Sequence, residues 1–133
     1  LKRVDHLIFV SLKYTRTGDV IYNVVKRMIS SYEFLVNSLI KTFDEETSSP
    51  IAKAEVIRER FKEDLVQENI NLYLLLRRVL KAKHSRECEY RRHVALICTI
   101  DNEELKLNID SVGEYYNLLK EFYTFVSETV KNG

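Results

Sequence analysis

DVIYNVVKRMISSYEFLVNSLIKTF, residues 19–43, is the stretch that decides the fold. Apolar side chains recur along it at spacings of three and four residues, which is the period of one face of an α-helix. Lys26, Arg27, Glu33 and Lys41 lie off this stripe. The segment therefore predicts one long helix with a continuous core face. The stripe consists of Ile21, Val24, Val25, Met28, Tyr32, Leu35, Val36, Leu39 and Phe43.

Composition extends this prediction to the whole chain. The 133 residues are 45% hydrophobic and 31% charged, which is typical of one soluble globular domain. Three glycines and one proline leave little turn chemistry, and this favours long helices over many short strands. We expect residues 1–133 to form a single mainly α domain, a bundle of four or five helices with one β-hairpin before the C-terminal helix.

The rest of the N-terminal part predicts further helices. Residues 4–14 are apolar nearly all round, and we interpret them as a buried helix, with a buried strand as the alternative. Residues 44–49 form a polar loop. Ser49 followed by Pro50 is typical of an N-cap and a first helical position. Another helix is expected from about residue 67 to residue 83.

The period changes near the C-terminal end. Between about residues 91 and 110 apolar and polar residues alternate, which predicts a β-hairpin with the polar run 101–104 as its loop. Ser111 and Glu114 then form a capping-box pair that opens the last helix, over residues 112–131. The alternating apolar positions are Val94, Leu96, Cys98 and Ile100, followed by Leu105, Leu107 and Ile109.

This last helix has an apolar arc of roughly half its circumference, wider than one bundle face requires. Leu118 and Phe125 lie on one flank of the core stripe, and Tyr116 and Tyr123 lie on the other. We expect a homodimer with Leu118 and Phe125 at the interface; the alternative is that the hairpin covers the extra width. The predicted core stripe itself is Val112, Tyr115, Leu119, Phe122, Val126 and Val130.

Targeting signals and cysteines bear on the compartment. No apolar run approaches the length of a membrane span, and Asp5 and His6 interrupt the position of a signal-peptide core. Two cysteines, Cys88 and Cys98, do not amount to a disulfide framework. We therefore expect a cytoplasmic protein with no membrane partner.

A local cluster of positive charge is the main functional feature of the sequence. Seven of the 21 Lys and Arg residues fall within residues 77–92, where Glu87 and Glu89 are the only acids. Such a cluster predicts a docking place for RNA or for an acidic protein, and Tyr73 or Tyr90 is available to stack on a base. The competing interpretation is that these cations complement a helix C-terminus and are solvated. The candidate nucleic-acid-binding residues are Arg77, Arg78, Lys81, Arg86, Arg91 and Arg92.

Four potential zinc ligands, His84, Cys88, His93 and Cys98, lie within the same region. Zinc modules usually hold their ligands in tight pairs, two to four residues apart, and this spacing does not match that pattern. Cys98 also shares its strand parity with core positions. We predict no metal and no cofactor.

Arginine and histidine recur at a suggestive spacing. Five residues separate Arg78 from His84, and six separate Arg86 from His93. Such a pair can act in metal-independent RNA cleavage, with His as acid or base and Arg on the phosphate. With the helical build and the single-domain size, this resembles the HEPN superfamily of small helical-bundle proteins. That resemblance implies a dimer and, in some members, ribonuclease activity.

The family motif usually continues with Asn, Asp or His after the Arg, whereas Val79 and Glu87 stand there in this chain. The run EYRRHV at residues 89–94, followed by the hairpin and the capped helix, also resembles small uncharacterised archaeal proteins and implies no activity. We predict a non-enzymatic binding or scaffold domain with a basic edge. The alternative is a HEPN-like ribonuclease or toxin-type protein.

Overall fold

The computed structural model describes residues 18–43, 49–84, 88–91 and 95–132. They form the mainly α bundle that the sequence predicts, with a β-hairpin before the C-terminal helix. The predicted helix at residues 4–14 lies outside the described residues. In chain order the described elements are α1 (Gly18–Ile40), α2 (Pro50–Arg60), α3 (Asp64–His84), β1 (Cys88–Arg91), β2 (Ala95–Ile100), β3 (Glu103–Leu107) and α4 (Ile109–Asn132).

Helix α1 is the central helix, because its predicted stripe is buried against both α3 and α4. Tyr32 marks the crossing point: its ring centroid lies 5.7 Å from that of Tyr73 on α3 and 5.8 Å from that of Phe122 on α4. A second contact lies ten residues earlier on α1 and ten residues later on α3, where Lys83 lies over the ring of Tyr22. Helices α1 and α3 therefore run antiparallel.

Helix α2 begins and ends as its local sequence dictates. Ser49 accepts a hydrogen bond from the backbone of Ala52, and Pro50 occupies the first turn, so the predicted cap is confirmed. At the other end Gln67 of α3 donates to the carbonyl oxygens of Arg58 and Phe61. This side chain satisfies carbonyl groups that the end of α2 leaves without helical partners.

The three strands form an antiparallel sheet in the order β1-β2-β3, so the described sheet has one strand more than the predicted hairpin. The hairpin loop is shorter than the polar run suggested, because Glu103 and Glu104 belong to β3. Asp101 and Asn102 form a two-residue turn with positive φ at both positions, 53° and 66°. The backbone twist of such a turn matches the right-handed twist of the two strands it joins, and Asp and Asn tolerate positive φ better than most residues do.

The start of α4 corrects the predicted capping box. Asn108 is the cap: its Oδ1 accepts from the Ser111 backbone, while Ser111 Oγ accepts from the Asn108 backbone, both at 2.9 Å. Ser111 therefore lies one turn inside the helix. The face of α4 is also rotated slightly from the predicted one, since Tyr116 is buried and Tyr115 is half-buried, while Val130 is exposed.

Candidate nucleic-acid interface

The last two turns of α3 carry the helical part of the basic cluster. Arg77, Arg78, Lys81 and Lys83 lie there with no acidic residue between positions 77 and 83. Helix geometry separates them, because Arg78 and Lys81 are about 60° apart around the axis, whereas Lys83 is about 160° from Lys81. Arg78 and Lys81 are exposed, while Arg77 and Lys83 are half-buried. Lys83 therefore lies on a different side of α3 from Arg78 and Lys81.

Arg78 is paired with a carboxylate. Its guanidinium forms an ion pair with Asp101 in the hairpin turn, which ties the outer face of α3 to the β2–β3 hairpin. The hydrogen bond between the two groups raises the pKa of Arg78 and lowers the pKa of Asp101. Both side chains are exposed, so this pair contributes little to stability. Its main consequence is to neutralise one of the candidate phosphate-binding cations.

Arg77 lies against the core. Its Nη1 is 3.5 Å from the Tyr73 hydroxyl, at the long limit for a hydrogen bond, and its Cζ lies 5.7 Å from the centre of that ring. Burial raises the pKa of Tyr73, and the neighbouring Arg77 opposes this change. Tyr73 is 1% exposed and packs on Tyr32, so it is not available to stack on a base as the sequence suggested. The side chain of Tyr90 lies outside the described part.

Two lysines from different helices lie over the same aromatic ring. Lys26 of α1 and Lys83 of α3 place their Nζ atoms 5.5 and 5.6 Å from the centre of the Tyr22 ring. Both distances are within the range of a cation–π interaction, in which the ring face attracts the ammonium group. We name Tyr22, Lys26 and Lys83 the lysine–tyrosine site. It lies at the end of α3 from which the chain continues into the rest of the basic cluster.

Sequence reasoning missed Lys26 as a member of this site. In the sequence, Lys26 lies off the apolar stripe of α1, and this position indicates only that the residue is exposed to solvent. The antiparallel packing of α1 on α3 brings Lys83, 57 residues further along the chain, to the same ring. Tyr22 is half-buried beside the core and supports both cations.

The other candidate residues are less completely placed. His84 is the last residue of α3 and Arg91 the last of β1, but their side chains lie outside the described part. Arg86, Arg92 and His93 also lie outside the described residues. Six helical positions separate Arg78 from His84, which corresponds to about 9 Å along the axis and about 120° around it. Helix geometry therefore does not bring Arg78 and His84 onto one face.

Cys98 has a different state from the one its sequence context suggested. It is fully buried in β2, as its strand parity predicted, and it is disulfide-bonded. Its register partner in β1 is Cys88. A disulfide sulfur is not a thiolate, so Cys98 is not a zinc ligand in this state. No group of three or more metal-ligating side chains occurs in the portion of the chain that the structure describes.

The predicted dimer residues are partly covered within the chain. Leu118 and Phe125 are half-buried and pack against the core. The Phe125 ring lies edge-on to Phe61, with centroids 5.3 Å apart, so the α2–α3 connection contributes to this cover. The more exposed apolar side chains of α4 are Tyr123 and Val130, 43% and 42% exposed. The homodimer stays a prediction.

No protein-family model, curated protein or solved structure matches this chain. Among the described helices, none combines the length and the apolar composition that crossing a membrane requires.

Proposed function

We propose that this protein is a non-enzymatic nucleic-acid-binding domain that contacts the phosphate backbone through the lysine–tyrosine site. The observation that carries the proposal is the convergence of Lys26 and Lys83 on one aromatic ring. Each ammonium group lies within 5.6 Å of the ring centre, so one strand of phosphates that crosses the ring can contact both lysines. Lysine binds phosphate as a point charge, and a tyrosine ring on which both lysines rest restricts their motion.

The chain adjacent to the site adds further positive charge. Residues 85–92 follow α3 in the sequence and bring three more arginines, Arg86, Arg91 and Arg92, against Glu87 and Glu89. A strand of nucleic acid carries a phosphate at every nucleotide and can contact cations on several elements at once. Exposed Lys81 is available on the other side of α3.

A nucleic acid fits this site better than an acidic protein does. Protein interfaces draw most of their energy from a few buried aromatic or arginine anchors. The large apolar side chains that are exposed in the described part of the chain lie away from the lysine–tyrosine site: Phe34, Ile51, Tyr123 and Val130. Binding by charge without an apolar anchor is typical of sequence-independent contact with a polyanion.

The test compares two double variants in binding to a labelled single-stranded RNA, measured by fluorescence anisotropy in EDTA over a series of salt concentrations. Lys26→Gln/Lys83→Gln should weaken binding and reduce the slope of log affinity against log salt by about 0.7 for each lysine that contacts a phosphate. The control, Lys62→Gln/Lys131→Gln, removes the same charge from two exposed lysines. Both lie near the opposite end of the bundle, where Phe61 meets Phe125.

We expect the control variant to retain wild-type affinity to within about twofold, since distant exposed charges are screened by salt. Equal weakening by both double variants would mean that the lysine–tyrosine site has no special role. Absence of RNA binding at low salt, with binding of an acidic polypeptide instead, would assign the site to a protein partner. RNA cleavage in EDTA that is lost in His84→Ala or His93→Ala would replace the proposal by the ribonuclease alternative.

A further inference from the structure

The sheet contains a covalent crosslink that the cysteine count did not suggest. Cys98 is disulfide-bonded, and the chain contains one other cysteine, Cys88. In the antiparallel register of β1 and β2, Cys88 and Cys98 are direct Cα partners. Directly opposed residues of an antiparallel pair are separated by about 4.5–5.5 Å, which is within the range that a disulfide bridges.

We propose that the bond joins Cys88 to Cys98 and acts as a redox-dependent fastener that holds β1 on the sheet. A dithiol reductant would open it in two steps. One reductant thiolate attacks a sulfur of the bond and forms a mixed disulfide, and the second reductant thiol then displaces the remaining protein sulfur. The reductant leaves as a cyclic disulfide, and Cys88 and Cys98 each gain a proton and become thiols.

Among the described residues β1 has few other attachments, so a crosslink to β2 contributes much to holding it on the sheet. It has four residues and lies at the edge of the described sheet, where it pairs with β2 alone. Strand β3, by contrast, is tied to β2 through the two-residue turn at Asp101 and Asn102. Short edge strands open locally at a low free-energy cost, and a crosslink to the neighbouring strand raises that cost.

Burial of Cys98 shapes the reaction. Its side chain is fully buried in β2, a strand that packs against α1 and α3, so a reductant cannot reach this sulfur from solvent in the intact fold. Attack must come at the other sulfur or follow a transient separation of β1 from β2. The second route couples reduction to opening of the edge strand.

The fastener also bears on the binding surface, and this part of the inference rests on the proposed function. Arg91 is the last residue of β1 and is paired in register with Ala95. Releasing β1 removes the fixed position of its backbone. The oxidised protein would then hold the backbone of Arg91 in place beside β2, and the reduced protein would not.

Two measurements on the full chain test the fastener itself. Peptide mapping without reductant should recover the Cys88–Cys98 crosslink. Hydrogen exchange with and without dithiothreitol should show protection of the hydrogen-bonded β1 amides falling by roughly a hundredfold, the effect expected from opening a loop of about ten residues. The β2–β3 amides should change by less than about twofold.

The double variant Cys88→Ala/Cys98→Ala is the matched control, because it should exchange like the reduced protein and should not respond to dithiothreitol. Two free thiols in the protein purified under air, or equal β1 protection in both redox states, would overturn the inference. Since dithiothreitol is tested on the wild-type chain, the inference is decided even if the alanine variant does not fold.

RNA binding in the two redox states separates this inference from the proposed function. Weaker binding by the reduced protein, with the control variant unresponsive to reductant, supports both. A change in β1 protection without RNA binding in either state sustains the fastener and refutes the proposed function. If the β1 amides change in protection but RNA affinity is equal in both redox states, the disulfide stabilises the sheet and has no role in binding.

Discussion

Replacing Tyr32 with phenylalanine tests how the centre of the bundle is held together. The Tyr32 hydroxyl donates a hydrogen bond to Oδ1 of Asn69, and the Asn69 amide nitrogen donates to the Leu65 carbonyl oxygen at 2.9 Å. Tyr32 and Asn69 are both 0% exposed, and Asn69 is the buried polar residue of the described core. The Tyr32–Asn69 bond joins α1 to α3, and the Asn69–Leu65 bond lies within α3.

Phenylalanine keeps the ring but leaves the Asn69 oxygen buried without its donor. An unsatisfied buried acceptor costs about 1–3 kcal/mol, so Tyr32→Phe should lower the free energy of unfolding by about 2 kcal/mol. For a chain of 133 residues this corresponds to a fall in Tm of about 7 °C. Urea denaturation followed by circular dichroism gives the free energy, and a thermal melt gives Tm.

Two further variants make the result specific. Tyr123→Phe removes a hydroxyl from an exposed ring and should change stability by less than about 0.5 kcal/mol. Tyr32→Phe/Asn69→Leu replaces both buried partners by apolar groups and should recover most of the lost stability. If Tyr32→Phe costs no more than Tyr123→Phe, the buried hydrogen bond does not stabilise the fold and the reasoning is refuted.

The same residue gives a pH dependence with a definite sign. Burial raises the pKa of the Tyr32 phenol above its ordinary value of 10.0, so the folded state retains a proton that the unfolded chain loses in alkali. The stability contributed by the neutral phenol is therefore complete below pH 10 and declines as the pH rises above it, by up to about 1.4 kcal/mol per unit. Tyr32→Phe should lack this part of the alkaline decline. Identical slopes of stability against pH above 10 would contradict it.

Three other predictions concern the cap, the dimer and the exposed ion pair. In urea denaturation, Asn108→Ala should lower the free energy of unfolding by about 1 kcal/mol because it removes the α4 cap, whereas Glu114→Ala should lower it by under about 0.3 kcal/mol. The reverse order would support the capping box of Ser111 and Glu114 that the sequence predicted. Sedimentation should report one species of twice 15.7 kDa, and Leu118→Glu, at the predicted interface, should shift it toward monomer. A wild-type monomer at micromolar concentration would refute the homodimer. Arg78 lowers the pKa of Asp101, so an NMR titration should show this carboxyl protonating at higher pH in Arg78→Gln than in the wild type, and an unchanged midpoint would mean that the pair does not persist in solution.

Much of the fold was predictable because it is encoded locally. The stripe of α1 is buried along its helical length, since a run of apolar residues at helical spacing must be covered whichever helices cover it. Ser49 and Pro50 fix the start of α2 through bonds within four residues. The alternation of apolar and polar residues predicted the hairpin. The polar run 101–104 did not show that the turn needs only two residues, because Asp and Asn are less specific for this turn than glycine.

The cap of α4 shows where local reasoning fails although the interaction is local. Ser111 with Glu114 and Asn108 with Ser111 are both plausible pairs three residues apart. Which one opens the helix depends on where β3 ends, and Leu107 belongs to the sheet through its register with Leu96. The choice of cap is therefore made by strand pairing and not by the capping residues.

The sequence by itself determined the helices, the hairpin, the apolar faces and the concentration of positive charge near the end of α3. Tertiary structure alone decided which charges meet. Antiparallel packing places Lys26 and Lys83 over one ring. The position of the hairpin turn brings Asp101 to Arg78, and strand register sets Cys88 opposite Cys98. The physical reason is that periodicity and capping depend on neighbours within a few residues, whereas these contacts join segments whose approach is fixed by how the apolar faces pack.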